Sequence, residues 1–457
     1  MDWGVVSPIV ATVAREATLF AAIGMFVGGI DDLLVDSIFL IKRVTGWWRG
    51  ERTPTLADMR PSGKRLAIFI PAWDEAAVIG AMLATLSQRV ASATLTVFVG
   101  TYPNDPATIA AVTRMADLDP RIRLVVGSAP GPTTKADCLN SIWRALLAEE
   151  AASGTPFDAI VLHDAEDVVH PAEIAVIDHY LDEFAAVQLP VIPLPHDDAP
   201  LVGGTYLDEF ADAHGRTLVV RGAIGAGLPF AGVGCAIARP VLERIAAARD
   251  GDPFDADSLT EDYELGLTVA AMGGRTRFAR VLERPGGPLI GVRAYFPKNF
   301  DAATRQKARW MLGIALAGWD RTGWGRTRHI GEWWMRMRDR RAPIAAIVLL
   351  AAYLALVLAA VQFVFGLPNP EPSPEMFALL GVTTALLLIR IVVRAAFVWR
   401  LYGVAEALRS VPRMLIGNIV AMASARLAVL RYIRMLRGTP LHWDKTIHQF
   451  PEAVPPV

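Results

Sequence analysis

Three short groups of residues carry the side-chain types that group-transfer chemistry needs. Asp164-Ala165-Glu166-Asp167 sets two carboxylates, Asp164 and Glu166, two apart on one side of an extended chain, where they can share a hard cation such as Mg²⁺ or Mn²⁺. Thr260-Glu261-Asp262 opens a helical stretch over 263–272, and Asp262 is the candidate general base for an acceptor hydroxyl. Gln306-Lys307-Ala308-Arg309-Trp310 joins an amide, a cation and a flat apolar ring at helical spacing, suited to a charged diphosphate and to a stacked ring. Structural readings compete with each. Thr260 reads as an N-cap with its acids at the positive end of a helix, Asp167 reads as a capping or supporting acid, and an Arg-Trp pair beside an apolar span can be an interfacial anchor. That anchoring role is assigned to Trp319, Trp324, Trp333 and Trp334.

The elements that must hold these groups read as an α/β, doubly wound sheet over roughly 64–310. A β-rich run over 66–70 is stopped by Pro71, and the helix after it puts Ile79, Met82, Leu83, Leu86 and Val90 on one face. Further strands fall at 96–100 and 122–126, with a helix around 109–118 between them. The strand at 159–162 then runs directly into His163 and the acidic group. Ligands of such sheets bind beyond the carboxyl ends of the strands, so position and chemistry agree.

Composition divides the chain in two. A mean hydropathy of +0.35 with 53% hydrophobic residues is high for a soluble chain, yet 20% charged residues is too many for one lying wholly in lipid. The net charge of −1 supplies no field to attract nucleic acid, which is excluded as a partner. Cys138 and Cys235 are too few for a metal cluster and read as small core residues. The stretch 343–367 is free of charge and long enough to cross a bilayer; 376–402 is its partner in a hairpin, joined by the Pro/Glu-rich link 368–375. Near the N-terminus 17–30 is apolar but short, and Asp31, Asp32 and Asp36 interrupt its continuation; it is read as one retained span without the features of a cleaved leader. Lys42, Arg43, Arg49 and Arg52 before the central segment, and Arg336, Arg338, Arg340 and Arg341 after it, put that segment in the cytoplasm by the positive-inside rule. Arg390 and Arg394 lie inside the second hairpin helix, and Arg394 is expected to snorkel to the cytoplasmic face. After the hairpin, Arg409, Arg413, Arg426, Arg431, Arg434 and Arg437 alternate with apolar residues, the pattern of a basic amphipathic helix on anionic headgroups. The division expected is an anchor at 1–42, a cytoplasmic domain at 43–300, interfacial helices at 301–342, a hairpin at 343–402, and an amphipathic helix with a tail at 403–457.

Taken together, Pro71-Ala72-Trp73-Asp74-Glu75, Lys135 with Asn140, Asp164 to Asp167, Gly232-Val233-Gly234, Thr260 to Asp262 and Gln306 to Trp310 resemble the processive, inverting glycosyltransferases of family 2, relatives of cellulose, chitin and hyaluronan synthases. Gly28 to Leu33, His163 to Pro171 and Trp443-Asp444-Lys445-Thr446-Ile447-His448 further resemble the bacterial phage-adsorption B group of inner-membrane glycosyltransferases. The resemblance implies a GT-A, Rossmann-like domain. Ala72, Asp74 and Glu75 would line the nucleoside pocket, Lys135 would face the diphosphate, Asp164 and Glu166 would hold UDP and the metal, and Asp262 would be the base. Glu261, Gln306, Arg309 and Trp310 would contact the acceptor, while Trp443, Lys445, Thr446 and His448 would close over the donor. Glu166 stands where aspartate is commoner and Asp74 where asparagine is usual; Asp105 substitutes provisionally for a double-aspartate nucleotide contact. Longer members of the phage-adsorption group carry a C-terminal domain thought to sense cyclic di-GMP; this chain stops at Val457, so that regulation is not expected.

The implied activity is transfer of a sugar, an amino sugar by expectation, from a UDP-sugar donor to a growing exopolysaccharide. Membrane lipids, a glycan or lipid-linked acceptor and an outer-membrane export partner are the expected associates, and service as a phage receptor is a further expectation. Two other readings stay open. Single transfer to a lipid phosphate carrier is opposed by the Gln306 to Trp310 group, which single-transfer relatives often lack. An inactive receptor or scaffold is opposed by the joint presence of Asp164, Asp262, Gln306, Arg309 and Trp310.

Overall fold

The computed structural model describes residues 3–90, 94–325, 329–368, 371–439 and 448–451. Helix α1 (Trp3–Trp48) leads into β1 (Leu66–Pro71), α2 (Ile79–Arg89), β2 (Leu95–Thr101), α3 (Pro106–Leu118), β3 (Ile122–Val126), α4 (Lys135–Ser153) and β4 (Ala159–Leu162). Then come α5 (Glu173–Tyr180), β5 (Ala186–Gln188), β6 (Val191–Pro193), α6 (Gly204–Asp212), α7 (Leu218–Ala223), β7 (Cys235–Ala238), α8 (Arg239–Ala247) and α9 (Glu261–Ala271). The remainder is β8 (Thr276–Phe278), β9 (Val292–Ala294), α10 (Phe300–Met311), α11 (Ala317–Thr322), α12 (Ile330–Arg340), α13 (Ala342–Phe365), α14 (Pro374–Tyr402) and α15 (Val404–Leu436). Single π-helical turns, Ala213–Thr217 and Leu312–Leu316, join α6 to α7 and α10 to α11.

Seven strands form one sheet in the order β3-β2-β1-β4-β7-β5-β8. The first four are mutually parallel, β7 runs antiparallel to both of its neighbours, and β5 and β8 are parallel. β6 and β9 make a separate parallel pair. All six residues of β1 are buried because its side chains alternate between two cores. Leu66, Ile68 and Ile70 meet Met82, Leu83 and Val176 on one face, while Ala67 and Phe69 meet Leu139, Ile142 and Leu265 on the other. Each such large apolar side chain stabilises the fold by roughly 1.5–3 kcal/mol when fully buried. The strands expected at 122–126 and 159–162 match in both bounds, and Cys138 and Cys235 are buried and unbridged.

The membrane half departs from expectation. Among the described residues four helices, α1 over Ser7–Trp48, α13, α14 and α15, are long and apolar enough to cross a bilayer, where the sequence suggested three. α1 does not end near Asp31 but continues to Trp48, because its acids are paired. Asp32 Oδ1 accepts from Arg338 at 2.9 Å and from Arg341 at 2.8 Å, Asp31 pairs with the same two arginines, and Asp36 pairs with Arg216. Arg390 is not left to lipid either: it donates to Asp212 Oδ2 at 2.5 Å. Arg394 lies 3.7 Å from Asp208 instead of snorkelling. α15, expected on headgroups, packs against α10, α13 and α14, and Arg413 is fully buried against Asp208 at 2.6 Å. Arg413 near the start of α15 and Ala428 near its end both pack on the central domain, and the tail beyond returns His448 to Glu75, so α15 keeps both ends on the domain's side as expected of a helix lying along the surface.

Candidate active site

The carboxyl ends of the strands deliver the polar groups to one cavity of about 390 Å³. β4 stops at Leu162, and the next residues turn inward through a buried histidine. His163 Nδ1 lies 2.9 Å from Asp167 Oδ2 and its Nε2 lies 2.7 Å from Glu173 Oε1. Asp167 Oδ2 also accepts the Asp164 backbone N–H at 3.0 Å. Asp167 is therefore the support of this loop, and all three acids, Asp164, Glu166 and Asp167, border the cavity.

α4 begins at Lys135, capped by Thr134, whose side chain accepts from the Asp137 N–H. That start places Lys135 Nζ 2.6 Å from Asp164 Oδ1 and 3.8 Å from Glu261 Oε1. Burial opposes the charge on Lys135, but Asp164, Glu261 and Asp262 outweigh it and hold the ammonium above its usual range. Burial pushes the Glu261 carboxyl up to about 7 against the pull of Lys135, and raises Asp262 for the same reason. A carboxylate raised toward neutrality is a better proton acceptor than a solvated one. Gly232 makes room for it: at φ +78 it has the left-handed backbone that favours glycine, and a Cβ there would sit 2.5 Å from Asp262 Oδ2.

Thr260 occupies the N-cap position of α9 but makes no capping bond; its hydroxyl is buried without a partner, pressed by the Gly313 turn. α9 is held instead through its flank, by Arg321 on Glu264 at 2.6 Å and by Tyr263 Oη on Asp339 at 2.8 Å. The expected Thr260 cap is thus not made, while the acids do stand at the positive end of α9, where Asp262 Oδ1 accepts the Tyr263 N–H at 2.7 Å.

On the opposite wall, Gln306, Arg309 and Trp310 of α10 all line the cavity. Among the described residues Gln306 Oε1 and Arg309 Nε have no hydrogen-bond partner, and both are buried. Trp310 stands edge-on to Tyr206 and Phe296, with ring centres 6.1 and 6.4 Å away, while those two rings stack at 4.9 Å. Lys307 turns away to Glu209.

Residues 63–313 match the family model described as glycosyltransferase-like family 2. The chain belongs to that family. It is 32% identical over 460 aligned residues to bacteriophage adsorption protein B of Escherichia coli strain K12, and to bacteriophage N4 adsorption protein B of Escherichia coli O157:H7, with 94% of the chain aligned in each case. The chain spans about 62% of the length of these curated relatives. A mannosyltransferase from Pyrobaculum calidifontis, solved with GDP-Man and Mn²⁺, superposes with a TM-score of 0.51 at 18% identity, covering 89% of this chain and 99% of that one. The fold is GT-A, and by family and fold the chain is a glycosyltransferase.

Within this glycosyltransferase domain the nucleoside-side expectations fare unevenly. Ala72 is fully buried and its N–H is spent on Gly100 O at 2.8 Å. Asp105 is not aimed at the cavity: it accepts the Thr108 N–H as the cap of α3 and the Asp74 N–H at 2.6 Å. The signal was present, since an Asp before a Pro at the first helical position is an N-cap pattern. Asp74 itself sits at φ +53, held by that bond. Glu75 is buried, and it is joined to the cavity through His448, whose Nδ1 lies 2.8 Å from Glu75 Oε1 and 3.2 Å from Glu166 Oε2. Of the expected closing segment, His448 is in place; Trp443, Lys445 and Thr446 lie outside the described residues.

The three groups Glu75, Glu166 and His448 are close enough to share one cation. Glu166 Oε2 is buried with no donor aligned on it, and burial pushes this carboxyl up to about 8 although His448 pulls it down. A buried carboxylate oxygen whose neighbour is a histidine nitrogen 3.2 Å away, with Glu75 beside it, is a donor set that fits a divalent ion. Asp164, expected to share the metal, is committed to Lys135 instead.

Proposed function

We propose that this protein is an inverting glycosyltransferase that moves an amino sugar from a UDP-sugar to a growing exopolysaccharide at the cytoplasmic face of a bacterial inner membrane. The observation that carries it is the meeting, in one cavity, of Lys135 and Asp164 on the donor side, Asp262 between, and Gln306, Arg309 and Trp310 on the acceptor side. Lys135 would exchange part of its contact with Asp164 for the donor's diphosphate. Asp262 would take the proton of the acceptor hydroxyl on the face opposite the leaving group. Gln306 Oε1 would accept from a sugar hydroxyl, Arg309 would balance developing negative charge, and Trp310 would carry the sugar ring. Glu166, His448 and Glu75 would hold a divalent cation, Mg²⁺ or Mn²⁺, which when bound supplies positive charge to the departing diphosphate.

The arginines at the foot of the spans support the cytoplasmic orientation. Similarity to adsorption protein B supports a part in phage adsorption, and in this reading the glycan product leaves the cell through an outer-membrane partner. The test incubates the purified chain with Mg²⁺ or Mn²⁺, a panel of UDP-sugars with GDP-mannose beside them, and a membrane extract as acceptor. Metal-dependent release of UDP with long product is the expected result. Short lipid-linked product would replace the polymer reading with single transfer to a lipid phosphate, and no turnover by intact protein would favour a scaffold.

A further inference from the structure

Arg43, Arg280 and Arg400 come from three separate elements and meet at the cytoplasmic foot of the spans. Phe39 of α1 and Phe397 of α14 pack edge to face with centres 5.4 Å apart. Arg43 follows Phe39 by four residues and Arg400 follows Phe397 by three, so both stand one turn beyond that contact on the same side. The π-helical turn of the catalytic domain closes onto the same ring: a Cβ on Gly215 would lie 2.6 Å from Phe397 Cδ1. Arg280 donates to the carbonyl of His214 in that turn. These contacts bring the foot of α1, the foot of α14 and the turn that holds Arg280 together around the Phe397 ring.

What the trio lacks is an anion. Among the described residues no carboxylate lies within salt-bridge distance of Arg43, Arg280 or Arg400, in contrast to Arg216, Arg338, Arg341 and Arg390 nearby, each of which has one. Burial and the neighbouring Arg400 push Arg280 down to about 10. The surroundings are those of a membrane boundary: Trp47, Trp48 and Trp399 are exposed at the ends of α1 and α14, and Leu40 and Ile41 are more than half exposed beside Arg43. Planar guanidinium groups match phosphate oxygens in pairs, and these three, which have no carboxylate beside them among the described residues, can be balanced by an anion from outside the protein.

We propose that Arg43, Arg280 and Arg400 form a binding site for the phosphodiester headgroup of an anionic membrane lipid, which bridges α1, α14 and the catalytic domain. The acyl chains would lie along the exposed apolar faces of α1 and α14, and the phosphate would neutralise the mutual repulsion of the three guanidiniums.

The test uses the full chain, delipidated in a nonionic detergent, with native mass spectrometry and thermal unfolding against added phosphatidylglycerol or phosphatidylcholine. The expected result is retention of phosphatidylglycerol and a rise in melting temperature that phosphatidylcholine does not give. Each of Arg43→Gln, Arg280→Gln and Arg400→Gln should weaken phosphatidylglycerol binding about fivefold, the worth of one interfacial arginine. Arg434→Gln with Arg437→Gln, which removes two exposed charges elsewhere, should leave it unchanged. Because Arg400 is exposed and makes no ion pair with a carboxylate among the described residues, Arg400→Gln without lipid should melt at or above the wild-type temperature, which keeps the test independent of misfolding. Undiminished phosphatidylglycerol binding in the triple variant would overturn the proposal. So would equal stabilisation by millimolar inorganic phosphate, which would mark a small-anion site, or a lower melting temperature of lipid-free Arg400→Gln, which would mark a purely structural cation.

Discussion

The two walls of the cavity are built on opposite plans. On the donor wall nearly every ionisable group already has a protein partner: Lys135 with Asp164, His163 with Asp167 and Glu173, His448 with Glu75. On the acceptor wall Gln306 Oε1 and Arg309 Nε are buried and unbonded, and Trp310 presents a ring fixed by Tyr206 and Phe296. A self-neutralised wall binds a charged ligand by exchanging partners, so its affinity rests on balanced charges. An unsatisfied wall gains hydrogen bonds outright when a ligand arrives, so its losses on mutation should be smaller and confined to the acceptor.

The sharpest break in that comparison falls at Asp262, which faces both walls. Asp262→Asn keeps the shape and removes the base, so turnover should fall by about 10²–10⁴-fold while titration calorimetry shows unchanged UDP binding. Full activity in that variant would reassign the base. Gly232→Ala should approach the same loss by displacing Asp262, with the fold costing about 1–2 kcal/mol for a side chain in a left-handed conformation; unchanged turnover would show that Asp262 has slack.

Next in size is the donor wall. Lys135→Met leaves Asp164 and Glu261 facing each other without a cation, so the variant should bind UDP-sugar at least tenfold more weakly and unfold at lower denaturant. Adding Asp164→Asn should restore stability without restoring donor binding, the non-additivity expected of a balanced pair. Additive losses would mean that the two act separately.

How much of this was legible follows the period of the pattern. β1 and β4 were readable because strands buried on both faces are continuous apolar runs with abrupt stops, as at Pro71 and His163. The carboxylates of the site were readable because their spacing is local. Asp105, expected as a provisional nucleotide contact, also serves as a helix cap that its Asp-Pro dipeptide announced. α1 was cut short because Asp31, Asp32 and Asp36 look like a stop until their partners, Arg338, Arg341 and Arg216, arrive from residues about 180 to 310 positions later. The pairing of His448 with Glu75 and Glu166 is equally non-local, and no pattern in the sequence joins position 75 to 448.

The smallest expected effect belongs to the acceptor wall. Trp310→Phe keeps an aromatic face but loses area and the edge contacts with Tyr206 and Phe296. Aromatic contacts of this kind are worth about 0.5–1.5 kcal/mol, so the KM for acceptor should rise by up to about tenfold. Donor binding should not move, because among the described residues the rings paired with Trp310 are Tyr206, Phe210 and Phe296, none of which carries a donor-wall ionisable group. If the two walls are independent, hydrolysis of the UDP-sugar to water by Trp310→Phe should persist at the wild-type rate while transfer falls. A matching fall in hydrolysis would show that acceptor-side packing also shapes the donor site, and the division between a balanced wall and an unsatisfied one would have to be redrawn.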